Sequence, residues 1–337
     1  MSASAEPQAA AEAAACGRVP DFFIVGHAKS GTTALYEMLR RHPQIFLPDR
    51  KEPQFFARNP DPPRSADGRP VPGQTGRRTE TQAEYMALYA PAGPGQHVGD
   101  GSTFYLWSPE APGRIARAQP AARIIAILRE PASFIDSLHR QMLQNHTETE
   151  RDLRTALALE AARRRGESIP ASAFWPEALL YSERVRYVEQ LRRFHAVFPR
   201  EQVLVLIYDD FRADNEATVR RVLRFLDVDD SSPLAAVEAN PSVDVRSPRM
   251  RAVVRAVYRR ENRLGAAVRL TAKAVTTRRL RGRLLYPLRQ RVLYRPAGQA
   301  DEQLMAELRG RFAPEVRALS EYLERDLVAL WGYDRLG

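Results

Sequence analysis

Three short runs of apolar residues stand out along the chain: DFFIVG at 21–26, ARIIAILR at 122–129 and QVLVLIYDDF at 202–211. Each is continuous rather than alternating. That is the pattern of a strand buried on both faces, as in a parallel sheet. A fourth strand is expected within QHVGDGSTFYL at 96–106. Helical signal follows the runs: TTALYEMLRRH after the first, and ASFIDSLHRQML after the second, where Pro131 suits the first helical position. Strands alternating with helices predict an α/β fold, a parallel sheet flanked by helices, in one domain with a helical C-terminal part. Ligands of such sheets bind beyond the carboxyl ends of the strands.

Elsewhere the pattern changes. Residues 57–81 are rich in Pro and Gly without periodicity, which predicts a long flexible surface loop, a flap over the site. Residues 151–200 read as helical, and Asp301–Tyr333 as one or two closing helices. Within 246–268, Met250, Val253, Val254, Val257 and Tyr258 fall at helical spacing, giving an amphipathic basic helix. Residues 1–19 are Ala-rich, carry Glu6 and Glu12, and lack a basic start and an apolar centre. A disordered tail is expected there, not a secretion signal. No apolar run approaches the roughly 20 residues of a membrane span, so a cytoplasmic location is expected.

Composition narrows the chemistry. A lone cysteine, Cys16, excludes a disulfide framework and a cysteine-based zinc site. The net charge of +10 is local: Arg246–Arg295 holds 15 Arg and 1 Lys against one acid, Glu261, which leaves the rest of the chain acidic. Such a patch suits an anionic partner, whether nucleotide, sulfated or uronic glycan, or membrane headgroup; it equally suits a solvated helix face. No nucleic-acid partner is expected.

Two motifs fall at expected strand ends. In GHAKSGTTAL, Gly26 and Gly31 let the backbone turn tightly and approach a ligand. The N–H groups from Ser30 to Thr33 then converge with the positive end of the next helix, while Thr32 and Thr33 add hydroxyls and Lys29 a mobile charge. This is an anion cradle, and the plain alternative is a strand–helix turn with a capping threonine. It is not a Walker loop, because Thr32, not lysine, follows the second glycine. In ILREPASFIDSL, Arg129 at a strand end and Ser137 nearly two turns into a helix can clasp a phosphate. Alternatively Arg129 pairs with Glu130 or Asp136 at the surface.

The segment VGHAKSGTTALYEMLRRHPQIFLPDRKEPQFF resembles the sulfotransferases that use 3′-phosphoadenosine 5′-phosphosulfate (PAPS), in particular bacterial members and the heparan sulfate branch. The resemblance continues through RIIAILREPASFIDSLHRQM and FPREQVLVLIYDDFRADNEATVRRVLRFLDV, and spans most of residues 20–337. It implies a P-loop-like α/β domain over 20–337. It implies that Lys29, Ser30, Gly31, Thr32 and Thr33 hold the 5′-phosphosulfate, with Lys29 near the bridging oxygen, and that Arg129 and Ser137 bind the 3′-phosphate. Glu52, in KEPQFF, matches the general base of the heparan-type enzymes, and Lys51 is placed to orient the substrate or the sulfuryl group. A late basic loop, LYRPAGQ at 293–299, adds Arg295 as a nucleotide contact, with Arg291 next. PAPS is the expected co-substrate, adenosine 3′,5′-bisphosphate (PAP) the product, and no metal is required. The resemblance leaves the acceptor unidentified: a small molecule or glycan is expected, with carbohydrate, lipid and secondary metabolite all open, attacked at a hydroxyl or amine.

Other bases are weighed against Glu52. His27 lies inside the loop, His42 reads as packed or capping, and His139 as a helix-surface residue. Asp100 is a competitor. Heparan-type enzymes usually carry lysine where this chain has Gly101, which removes one stabilising charge at the sulfuryl centre. Two other functions are considered. One is a P-loop nucleotide kinase or hydrolase using Asp209 and Asp210 as a magnesium-binding strand end. The other is a non-catalytic binder of anionic glycan or membrane through residues 246–295.

Overall fold

The computed structural model describes residues 18–57, 81–173, 175–232 and 301–335, together with the backbone of two short strands at 243–245 and 294–296. The expected N-terminal tail, the 57–81 loop and the arginine-rich helix of 246–295 therefore lie outside the described residues, except at their ends. The chain divides into two compact units. One runs up to Asn240 and resumes at Glu302, and the other is Pro241–Asp301.

The first unit is built on five parallel strands: β1 (Phe22–Gly26), β2 (Ile45–Phe46), β3 (His97–Asp100), β4 (Arg123–Leu128) and β5 (Val203–Ile207), in the spatial order β2-β3-β1-β4-β5. All pairs are parallel, and β4 runs in unbroken register with β5 from Ile124 opposite Val203 to Leu128 opposite Ile207. The continuous apolar runs are explained by burial: every residue of β1, and all of β4 but Arg123, is shut from solvent. Phe22, Ile24, Ile125, Ile127, Leu204 and Leu206 share one cluster with Leu35, Met38, Val219, Val222 and Leu223, so helices cover that face of the sheet. Burying each such side chain contributes about 1.5–3 kcal/mol, so no strand position in this cluster tolerates a charge.

The helices are α1 (Thr32–Leu39), α2 (Gln82–Met86), α3 (Ala111–Ala118), α4 (Pro131–Asn145), α5 (Leu153–Ala158), α6 (Glu160–Arg164), α7 (Tyr181–Arg184), α8 (Tyr187–His195), α9 (Tyr208–Ala213), α10 (Asn215–Phe225), α11 (Glu302–Tyr322) and α12 (Leu327–Leu330). The expected helical stretch at 151–200 is broken into short pieces, because Gly166, Pro170 and Pro176 interrupt it. The expected strand 202–211 ends at Ile207, and Tyr208 already opens α9, whose first turn holds Asp209 and Asp210. Acids are favourable there, at the positive end of the helix.

Three helices begin just past three strands: α1 after β1, α4 after β4 and α9 after β5. Pro131 takes the first position of α4, and the Glu130 carboxylate caps it by accepting from the N–H groups of Ala132 and Ser133 at 3.0 and 2.7 Å. α11 packs against α4 and α8. In the second unit, β6 (Val243–Val245) and β7 (Tyr294–Pro296) form an antiparallel pair, so the expected loop at 293–299 holds a strand in its middle.

Candidate active site

The turn after β1 is shaped by its two glycines. A Cβ at Gly31 would lie 2.8 Å from Cδ1 of Phe211, and its φ of 81° is one that residues with a Cβ avoid. A Cβ at Gly26 would lie 2.7 Å from that of Leu106. Between them Lys29 also adopts a left-handed φ, of 63°. The floor of the turn is His27, fully buried, with its N–H donating to the carbonyl of Ile127 at 2.8 Å. Gln190 Nε2 donates to the carbonyls of Glu183 and Arg184, so its oxygen is the acceptor and His27 Nε2 carries the proton across their 2.7 Å contact. Burial, then the charge of Arg184, push the His27 pKa down to about 3. The ring is a neutral structural post.

Arg129 extends from the end of β4 over this turn. Its Nη1 donates to the carbonyl of Lys29 at 2.9 Å, its Nε to Ser133 Oγ at 3.1 Å, and its guanidinium lies 5.1 Å from the ring centre of Tyr208. The Arg129 carbonyl accepts the Tyr187 hydroxyl at 2.9 Å. The Lys29 pKa is lowered first by burial and then by the charge of Arg129. Among the described residues neither cation meets a carboxylate within salt-bridge distance. The hydroxyls of Ser30 and Ser137 are buried and without a hydrogen-bond partner. Two uncompensated cations and two unused buried donors fit an anion with several oxygens.

In the first turn of α1, Thr33 Oγ1 accepts from Lys51 Nζ at 2.8 Å; that ammonium lies 3.8 Å from Glu52 Oε1 and 5.7 Å from the centre of the Tyr36 ring. Burial lowers the Lys51 pKa, against the opposing pull of Glu52 and Glu37. Glu52 has a φ of 59°, its side chain is 33% exposed, and Oε2 accepts from Gln54 Nε2 at 3.4 Å. Asp100 contrasts with it in burial and in the number of hydrogen bonds it accepts. It is fully buried at the end of β3; Oδ2 accepts the hydroxyls of Tyr85 and Tyr105, both at 2.8 Å, and Oδ1 that of Ser102 at 2.6 Å. Burial raises its pKa to about 6, against the pull of these three hydroxyls.

Residues 20–232 match the model of the sulfotransferase family. The chain belongs to the sulfotransferase family. It is 27% identical over 228 residues to mouse bifunctional heparan sulfate N-deacetylase/N-sulfotransferase 4, covering 63% of this chain and 23% of that protein. It is 26% identical over 209 residues to human heparan sulfate glucosamine 3-O-sulfotransferase 3B1, covering 62% of this chain and 46% of that one. The chain thus matches less than half the length of these curated relatives. Among solved structures, a sulfotransferase from Alicyclobacillus acidocaldarius aligns with a TM-score of 0.63 at 25% identity, covering 93% of this chain and 99% of that one.

In this member of the sulfotransferase family, Lys29, Ser30, Gly31, Thr32 and Thr33 run directly into α1; Arg129 reaches Lys29, and Lys51, beside Glu52, reaches Thr33. Ser137 lies on α4 one turn beyond Ser133, the hydroxyl that meets Arg129, and neither Ser133 nor Tyr187 carried a sequence signal of its own. Arg295 lies in β7 of the second unit, across from Asp244. His42 accepts the Gln44 N–H at Nδ1, a local cap as expected. His139, expected on a helix surface, is instead buried: Nε2 meets the Glu150 carbonyl at 2.9 Å, because the following loop folds back over α4.

Asp209 and Asp210 are engaged elsewhere. Arg325 holds both oxygens of Asp210, at 2.6 and 2.7 Å, and Trp331 Nε1 donates to Asp209 at 2.9 Å. Tyr333 donates to Glu130 at 2.5 Å. The C-terminal segment thereby fastens the starts of α4 and α9. Gly101 cannot take a larger residue as the fold stands, since a Cβ there would lie 2.6 Å from Cδ2 of Tyr36.

Proposed function

We propose that this chain transfers a sulfuryl group from PAPS to a hydroxyl or amine of an acceptor, such as a carbohydrate, lipid or secondary metabolite. The observation that carries the reading is the meeting of Lys29 with Arg129 at adjoining strand ends, with no carboxylate at salt-bridge distance among the described residues and with the buried Ser30 and Ser137 hydroxyls unpartnered. The loop from Lys29 to Thr33 would hold the phosphosulfate, and Arg129 with the α4 serines the 3′-phosphate.

The acceptor oxygen attacks sulfur in line with the bridging oxygen. The new oxygen–sulfur bond forms as the sulfur–bridging-oxygen bond breaks, and PAP leaves. Negative charge builds on the departing phosphate oxygen, which Lys29 and the N–H groups of Gly31 to Thr33 would stabilise; the Ser30 N–H, expected to join them, instead donates to the His27 carbonyl at 3.3 Å within the turn. Glu52 takes the acceptor proton; of the two candidate carboxylates it is the one with access to solvent and with unspent acceptor capacity. Lys51, tied to Thr33 and beside Glu52, would meet the equatorial oxygens of the sulfuryl group. A kinase reading is disfavoured because Asp209 and Asp210 already hold an indole N–H and a guanidinium.

The test is transfer of labelled sulfate from PAPS into an extract of the producing cells, with mass analysis of the labelled product. Glu52→Gln is expected to lower turnover by about 100- to 10,000-fold while PAP still binds. Protection of the fold against melting by ATP with magnesium, and not by PAP, would overturn the reading.

A further inference from the structure

Asp100 is a buried carboxylate that the proposed chemistry leaves unused, and its surroundings give it another task. An ionised carboxylate only accepts hydrogen bonds. Ser102 and Tyr105 must therefore both spend their single protons on it, at 2.6 and 2.8 Å. Their oxygen lone pairs are left facing the main chain of the KEPQFF segment. Ser102 Oγ accepts the N–H of Gln54 at 2.9 Å, and Tyr105 Oη accepts the N–H of Phe56 at 3.4 Å. Tyr85, the third donor to Asp100, stacks on Phe55 at 4.4 Å. Three consecutive residues, 54 to 56, are thus fastened through groups that all end on one carboxylate.

The segment needs such fastening. Glu52 and Gln54 have φ values of 59° and 57°, left-handed conformations that residues with a Cβ avoid unless their surroundings impose them. Gln54 in turn donates its side-chain amide to Glu52.

We propose that Asp100 is a positioning residue for the reaction: through Ser102 and Tyr105 it sets the direction of the hydrogen bonds that hold Gln54 and Phe56, and so holds Glu52 beside Lys51 and the start of α1. The inference rests on Glu52 being the base. An asparagine at 100 replaces one acceptor oxygen by a donor. It must reverse a hydroxyl, and a reversed hydroxyl turns its proton against a main-chain N–H.

The experiment compares the wild type, Asp100→Asn, Glu52→Gln and the double variant in labelled-sulfate transfer from PAPS into an extract of the producing cells. PAP affinity by calorimetry and amide deuterium exchange over residues 51–57 are measured in parallel. Asp100→Asn is expected to lower the rate at saturating PAPS by about 10- to 100-fold with PAP affinity held within about twofold. Exchange over 51–57 is expected to quicken, and Asp100→Asn to add no further loss to Glu52→Gln. Ser102→Ala, which leaves Asp100 its two tyrosines, is expected to reproduce the loss in smaller degree and serves if Asp100→Asn does not fold. Wild-type rate and exchange in Asp100→Asn, with Glu52→Gln inactive, would overturn this inference and leave the base in place. Full activity in Glu52→Gln would remove the base reading itself. Equal further losses from Asp100→Asn in both backgrounds would show that Asp100 does not act through Glu52.

Discussion

The Arg129 guanidinium donates to the main-chain carbonyl of Lys29 at 2.9 Å, fastening the end of β4 to the turn that follows β1. The two motifs are 100 residues apart in sequence and share one hydrogen bond in space. A charged hydrogen bond of this kind is worth about 1.5–3 kcal/mol. Arg129→Ala is therefore expected to weaken PAP binding by about 10- to 100-fold in calorimetry. Arg129→Lys keeps a charge but loses the fork that reaches Lys29 and Ser133 together, and is expected to recover only part of the affinity.

Two fully buried groups contribute to acid stability with opposite sign. His27 has a folded pKa of about 3 against 6.5 unfolded, so its contribution is complete above pH 6.5 and is lost as pH falls toward 3. Between pH 7 and 4.5 that is a loss of about 3 kcal/mol. Asp100, raised from 3.8 to about 6, does the reverse: the folded state binds its proton first, so stability is gained by about 2 kcal/mol over the same interval. In urea unfolding at the two pH values, His27→Gln is expected to gain on the wild type as pH falls, and Asp100→Asn to lose ground to it. A pH-independent difference in either variant would contradict the assignment.

Gly101 faces the ring of Tyr36, whose hydroxyl donates to the Pro48 carbonyl and cannot withdraw freely. Gly101→Ala, and Gly101→Lys with it, is expected to destabilise the fold by about 1–3 kcal/mol in urea unfolding. The lysine of heparan-type enzymes cannot be restored here by one substitution; Tyr36 has to change with it.

The C-terminal segment allows a ranked prediction. Trp331 is 7% exposed, so Trp331→Ala loses packing as well as a hydrogen bond and is expected to cost about 3–5 kcal/mol. Tyr333→Phe removes one bond from Glu130 and leaves the α4 cap in place, for about 1 kcal/mol. Arg325→Ala breaks a pair that is 36% and 40% exposed, for at most about 1 kcal/mol. Urea midpoints that reverse this order would show that the indole is not what anchors the segment.

The parallel sheet was legible because both faces are covered, so β1, β4 and β5 read as unbroken apolar runs. Pro131 announced the start of α4, and the two glycines announced the turn. β2 left no trace, since two residues make no pattern. The partners of Asp100 were equally hidden: Tyr85, Ser102 and Tyr105 are ordinary residues until the fold gathers them, and Asp100 therefore looked like a second base. His139 misled for the same reason, because the chain that buries it lies beyond the helix that carries it.

Lys29 and Glu52, the two side chains given the central parts in the chemistry, both stand on left-handed backbone. Any residue with a Cβ is disfavoured there by about 1–2 kcal/mol, and glycine is not. A laboratory evolution that rewards heat resistance alone would thus drift toward glycine at these two positions and arrive at a sturdier but inert protein. Their retention as lysine and glutamate would then be the mark of selection for turnover.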